Sequence, residues 1–205
     1  MSRRKLKQSP SSKAEPKTRP LLILASSSPR RRALLAEHGF DFEVIAPSGV
    51  EEIAPPHLSP GETVLANARA KARAIVHSDA VVLGVDTEVF FEGRVLGKPA
   101  DMNDALVMIS RLNGRTHEVY SGVWMVSGKK EYGFVVVSRV HFHKRTAAEL
   151  SRYLARIRPL DKAGAYAAQD DHGEMIARVE GSYSNVIGLP MEGLAEKLDE
   201  FLERK

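Results

Sequence analysis

The chain of 205 residues contains no cysteine, which excludes disulfides, thiolate metal sites and cysteine nucleophiles and fits a reducing compartment. No apolar run approaches the ~20 residues that a membrane-spanning helix needs, so a soluble protein with no membrane partner is expected. The first residues lack the apolar h-region of a secretory signal, which makes the cytoplasm the expected location. A glycine-rich Walker-type element ending in Gly-Lys-Ser or Gly-Lys-Thr is also missing, so any phosphate must be held by other means.

The formal net charge is +4, but it is unevenly placed. Residues 1–19 hold seven Lys or Arg against Glu15 alone, a net of +6, which leaves −2 for the remainder. Rich in Ser, Pro and Lys, this stretch is expected to be a disordered basic extension ahead of one folded domain at 20–205. The basic tail raises a rival to an enzyme, a regulator that binds nucleotides or nucleic acid. The body argues against nucleic acid as the main partner, because it is acidic and has no basic stripe interleaved with aromatics.

Strand and helix patterns alternate along the body. The apolar run Leu21 to Leu24 reads as a buried strand, Ser28 and Pro29 as the N-cap and first residue of a helix, and Gly39 as its end. "DFEVIAP" alternates as a half-buried strand, and "SGVEEIAPPHLSPG" is a loop. "ETVLANARAKARAIVH" is a helix whose apolar stripe comprises Val64, Leu65, Ala68, Ala72, Ile75 and Val76. "AVVLGVDTEVFF" is a second buried strand, "EGRVLGKP" a turn and short return, and Asp101 caps the helix "MNDALVMISRL". "HEVYSGVWMV" and "YGFVVVSRVHFH" pair around "SGKK", followed by the helix "TAAELSRYLAR", the strand "GEMIARVEG" and a C-terminal helix in "PMEGLAEKLDEFLER". Strands from 117 to 143 have no helix between them, which predicts an α/β fold on a mixed sheet.

Several residues stand out against this framework. Cations in the first turn of a helix oppose its macrodipole and cost ~0.3–1 kcal/mol each unless an anion lies there. Arg30, Arg31 and Arg32 occupy that turn, next to serine hydroxyls and free amides, a combination suited to phosphate. The three fan through roughly 200° of helix circumference, so one or two of them face a ligand and not all three. Asp86, placed by "GVDT" at the end of an apolar run, is expensive to bury alone and is poised to bind a cation, act as a base or cap the next segment. Glu88 would share its face if the strand continues, and two such acids could hold a divalent metal. Lys98 sits on a tight turn and Lys71 in an alanine-rich helix. "PLDKAGAYAAQDDHGE", with Asp161, Lys162 and Gln169, falls between regular elements, where loops carry function. His141 and His143 share a strand face but have no third ligand at a sensible spacing, so no zinc site is assigned to them.

Taken in order, "LASSSPRRRALL", "VEE", "NARAKA", "GVDT", "GKP", "LNGRTHEVYSGV", "PLDKAGAYAAQ" and "VEGSYSNVIGLP" run from residue 24 to residue 190. The series resembles the Maf, or septum-formation-inhibitor-like, family of nucleoside triphosphate pyrophosphatases. The resemblance implies two lobes around a deep cleft, a fold similar to inosine-triphosphate pyrophosphatases, a homodimer and a divalent metal, Mg²⁺ or Mn²⁺. It also implies hydrolysis of a nucleoside triphosphate to monophosphate and pyrophosphate. Ser26, Arg30, Arg31, Glu52, Lys71 and Lys98 match phosphate-side positions, and Asp86 the proton acceptor; Glu52 and Asp86 are the expected metal ligands. Arg30, Thr87 and Gln169 match the set of the dTTP/UTP-preferring branch. Two departures bear on the metal site: Val85 replaces the usual alanine, and Glu88 stands where an apolar residue is common.

Overall fold

The apolar run at the start of the body becomes β1 (Leu21–Ala25), whose residues from Leu22 onward are all buried. The computed structural model describes residues 20–55 and 57–203; the expected disorder of residues 1–19 lies outside the described residues. β1 is flanked in parallel by β2 (Phe42–Val44) and by the first half of β3 (Ala80–Phe91). A short return, β4 (Arg94–Leu96), pairs antiparallel with the end of β3. β5 (Thr116–Ser127), β6 (Lys130–Phe142) and β7 (Ile176–Glu180) then add antiparallel strands, giving the order β2-β1-β3-β5-β6-β7 with β4 beside β3. The sheet is mixed, as the uninterrupted strands at 117–143 require. β3 is buried without a break from Ala80 to Asp86, a run that includes its parallel-paired residues 80–84, while its later residues alternate in exposure, as expected where one face is open.

Among the described residues, six α-helices surround it: α1 (Pro29–Glu37), α2 (Pro60–Arg73), α3 (Met102–Leu112), α4 (Ala147–Ile157), α5 (Tyr183–Ile187) and α6 (Leu194–Glu203). Ser28, Asp101 and Thr146 cap α1, α3 and α4. The boundaries of α2 differ from the sequence reading at both ends. Ser59 and Glu62 form a capping box that starts the helix earlier, and it stops at Arg73, leaving Val76 almost fully exposed and outside the expected stripe. α5 lies in a segment that carried no helical periodicity; five residues are too few to show one.

Two of the three hydrophobic clusters among the described residues define separate halves of the sheet. One packs Leu24, Leu83 and Val85 against Leu34 and Leu35 of α1 and Leu194, Leu198 and Phe201 of α6. The other packs Val89, Phe91 and Val119 against Ile109 of α3 and Leu150, Tyr153 and Leu154 of α4. These are the two lobes. β1 ends opposite Gly84 and β4 ends, at Leu96, opposite Val89, so residues 85–88 have no strand partner on that side, and a cleft opens there between the lobes. Among the described residues, no helix is long and apolar enough to cross a membrane.

On the other face, α2 lies very close to the sheet. A Cβ added at Gly84 would sit 2.1 Å from the carbonyl oxygen of Ala68, and one at Gly122 would sit 2.4 Å from that of Val64. Both obstacles are backbone atoms, so relief requires moving the helix. Gly84→Ala is therefore expected to destabilise the fold by ~1–3 kcal/mol or more in urea unfolding. Gly97→Ala, whose added Cβ meets nothing within 4 Å, should stay within ~0.5 kcal/mol of the parent.

Candidate active site

Asp86 is the centre of the cleft. Contrary to its expected place at a strand end, it lies in the middle of β3, opposite Gly122 of β5 and only 4% exposed. Its carboxylate is held from α2 by two side chains one helical turn apart. Lys71 donates from Nζ to Oδ1 at 2.6 Å, and Asn67 donates from Nδ2 to Oδ2 at 3.1 Å. The same Lys71 ammonium lies 2.6 Å from Oε1 of Glu52, so one cation bridges two carboxylates from separate parts of the chain. The hydrogen bond from Lys71 holds the Glu52 carboxyl below its ordinary pKa, and the nearby positive charges of Lys71, Lys98 and Arg31 add to the effect.

The wall opposite is built by the segment between β1 and α1. Ser26 Oγ accepts from the Ser28 amide at 3.2 Å and from Arg31 Nη1 at 3.1 Å. The first turn of α1 holds no acidic residue, leaving its amide end and Arg30 facing the cleft without an internal anion on the helix itself. Arg30 reaches across to Asp161 at 3.1 Å, an exposed pair at the mouth that a stronger anion can displace. Arg31 is differently employed. Its guanidinium donates to the Gly188 carbonyl at 2.9 Å and to Thr87 Oγ1 at 3.3 Å, and burial lowers its pKa from the usual value. Thr87 in turn donates to Gly188 O and shares a hydrogen bond with Ser121 at 2.8 Å. Arg31 and Thr87 thus tie α1, β3 and the end of α5 together across the cleft floor.

All nine candidate residues line one cleft of about 420 Å³: Ser26, Arg30, Arg31, Glu52, Lys71, Asp86, Thr87, Lys98 and Gln169. Lys98 and Gln169 are exposed at its rim. Gln169 uses one N–H on Asp170 at 3.1 Å, which leaves its second N–H and its carbonyl oxygen for a ligand. Arg32 is exposed and is not among the lining residues, in keeping with the fan of the three arginines. Lys162, a further cation in the wall, is 9% exposed and donates to the Arg158 carbonyl and to Asp161. Lys162 belongs to the loop that the sequence singles out, whereas Asn67 does not stand out there; only its four-residue spacing from Lys71, which puts both on one helix face, signals it. Among the described residues, no group of three or more His, Cys, Asp or Glu is arranged to hold a metal ion, and His141 pairs with Glu180 on the outer strands instead.

Glu88 shares the Asp86 face of β3 but does not line the cleft. Its Oε2 is buried without a hydrogen-bond partner, and burial, reinforced by the charges of Asp86 and Glu52, pushes its pKa up to about 7. A carboxyl whose pKa rises on folding binds its proton more tightly in the native state. Its contribution is full below the unfolded value near 4.5 and is lost as pH climbs through about 7. Glu88→Gln is accordingly expected to stabilise the metal-free protein at pH 8 by on the order of 1 kcal/mol, allowing for solvent screening of a partly exposed group. Thermal unfolding from pH 4.5 to 8 checks this, and the difference should vanish at the acid end.

Similarity to known proteins agrees with the motif series. Residues 21–201 match the Maf-like protein family. A dTTP/UTP pyrophosphatase of Bacillus anthracis (strain CDC 684 / NRRL 3495) is 41% identical over 182 residues, covering 88% of this chain and 95% of that protein. One from Bacillus cytotoxicus is 41% identical over 181 residues, with 87% and 94% covered. Among solved structures, the Staphylococcus aureus Ham1 protein is similar with a TM-score of 0.46 at 15% identity, covering 89% of this chain and 97% of that one.

Proposed function

Because the chain belongs to the Maf-like protein family, we propose that its cleft hydrolyses nucleoside triphosphates, dTTP and UTP foremost, to the monophosphate and pyrophosphate. The observation that carries this reading is convergence: a buried aspartate, a carboxylate partner, several cations and a helix N-terminus meet in one cleft. The relatives' activity and the geometry favour an enzyme over a regulator driven by its basic tail.

In this reading Asp86 takes a proton from water at a carboxylate oxygen while the water oxygen bonds to the α-phosphorus. The bond from the α-phosphorus to the bridging oxygen breaks, and pyrophosphate leaves with that oxygen. Arg30, Lys71, Lys98 and the amides at the start of α1 neutralise the triphosphate. Arg31 keeps the floor in register through Gly188 and Thr87. The donor set suits a hard divalent cation bound in the manner of Mg²⁺, through one or two carboxylates with substrate oxygens completing the shell. Glu52 and Asp86 would hold Mg²⁺ or Mn²⁺, and the ion would stabilise charge developing on the phosphoryl oxygens. Lys71 now lies between those two carboxylates, close to where phosphate must come. A homodimer in the cytoplasm completes the reading, the first from family resemblance and the second from the absence of cysteine.

Base choice falls to the rim. The free N–H and carbonyl of Gln169 match the donor and acceptor of a pyrimidine imide edge. Thr87 acts at second hand, because its hydroxyl is engaged with Gly188, Ser121 and Arg31.

Asp86→Asn is expected to retain nucleotide binding and to lower kcat by ~10²–10⁴, the scale of a lost general base. Product analysis on the parent enzyme should find pyrophosphate; orthophosphate as the first product would refute the cleavage site. A substrate panel should return comparable kcat/KM for dTTP and UTP, less for CTP and little for purine triphosphates, with Gln169→Glu impairing pyrimidine use. A preference for GTP or ATP would refute the base assignment and leave the pyrophosphatase chemistry standing.

A further inference from the structure

Glu52 is a poorly anchored residue for one that must face Lys71 and Asp86. It lies between β2 and α2 in a stretch without regular structure, its side chain is 58% exposed, and the neighbouring Ile53 is itself 47% exposed. Burial of apolar surface therefore does not fix this part of the chain, and an exposed carboxylate gains little from a single screened ion pair. What does fix it is Asn67. Only 1% exposed on α2, Asn67 accepts from the Ile53 amide at Oδ1 over 2.9 Å and donates from Nδ2 to the Ile53 carbonyl over 3.0 Å. One side chain thus satisfies both backbone groups of Ile53, as a neighbouring strand would. The remaining Nδ2 hydrogen goes to Asp86 Oδ2. Only one orientation of the amide allows all three bonds. Turned over, it would set an oxygen against the Ile53 carbonyl and the Asp86 carboxylate.

We propose that Asn67 is a positioning residue for hydrolysis, clamping the backbone at Ile53 so that the adjacent Glu52 carboxylate stands against Lys71 and Asp86. Asn67 carries no charge and offers no proton at neutral pH, so its effect passes through the groups it holds. It can serve this purpose only if the cleft is the triphosphate site proposed above.

A double-mutant cycle with Glu52 tests the clamp. Asn67→Ala is expected to lower kcat by about 10–100-fold, the usual effect of removing a group that orients a ligand or a reacting residue. In a Glu52→Gln background the same change should lower kcat by less than ~3-fold, because the carboxylate it positions is already gone. Reductions that simply multiply would overturn the proposal, since a general structural role or one through Asp86 alone acts independently of Glu52. Hydrogen exchange at the Ile53 amide gives a second readout and decides the matter if Glu52→Gln falls below detection. It should quicken at least ~10-fold in Asn67→Ala while amides of β1 and β3 keep their protection; an unchanged rate would overturn the clamp. Asn67→Ser enters the same measurements if the alanine variant does not fold. Wild-type turnover by Asp86→Asn would sink the reading of the site itself. Wild-type turnover by Asn67→Ala beside an inactive Asp86→Asn would sink only the clamp.

Discussion

The distance between α2 and the sheet governs the rest of the site. Two positions without a Cβ, Gly84 and Gly122, let the helix backbone settle against β3 and β5 on either side of Asp86. At that separation Asn67 and Lys71 reach the aspartate directly. A helix raised by even a methyl group on the strands would lengthen both bonds together, because both side chains project from the same face. The fold thereby converts the absence of two side chains into a fixed geometry for three others.

That geometry answers an electrostatic problem. A carboxylate as deeply buried as Asp86 is costly unless matched by charge and hydrogen bonds, and Lys71 and Asn67 supply both. A buried pair of this kind is a weak source of stability, since apolar residues of similar volume often serve as well or better. Its presence is better understood through what a polarised carboxylate and a nearby ammonium do to a phosphate. Glu88 shows the alternative. It shares the face but has no cation of its own, and its carboxyl is driven towards the neutral form.

Much of the fold was legible because it rests on local chemistry. The caps Ser28 and Asp101, the apolar runs of β1 and β3, and the uninterrupted strands at 117–143 act over a few residues and appear directly in the sequence. The nine candidate residues come from separated stretches of sequence and line one cleft. What the sequence hid were partnerships between distant segments. That Thr87 would be occupied by Ser121 and Gly188, 34 and 101 residues away, could not be read from "GVDT". The clamp of Asn67 on Ile53 needed the loop and the helix in one frame, and α5 was too short to carry a period. The end of α2 is obscured in the sequence because Ile75 and Val76 extend the apolar rhythm past the point where the helix stops.

The two lobes are joined by β3, which is hydrogen-bonded along nearly its whole length to β5, and not by a linker. Residues 85–88 lack a strand neighbour on the cleft side but keep one on the other, so this gap is no swivel. Bringing the lobes together would mean shearing a ladder that runs through both. The cost of such a motion rises with every paired residue, whereas the exposed side chains of Lys98 and Gln169 at the rim can move without breaking a strand pair. Adaptation to a guest of different shape is thus delegated to the rim, and the paired strands beneath the candidate residues stay stiff.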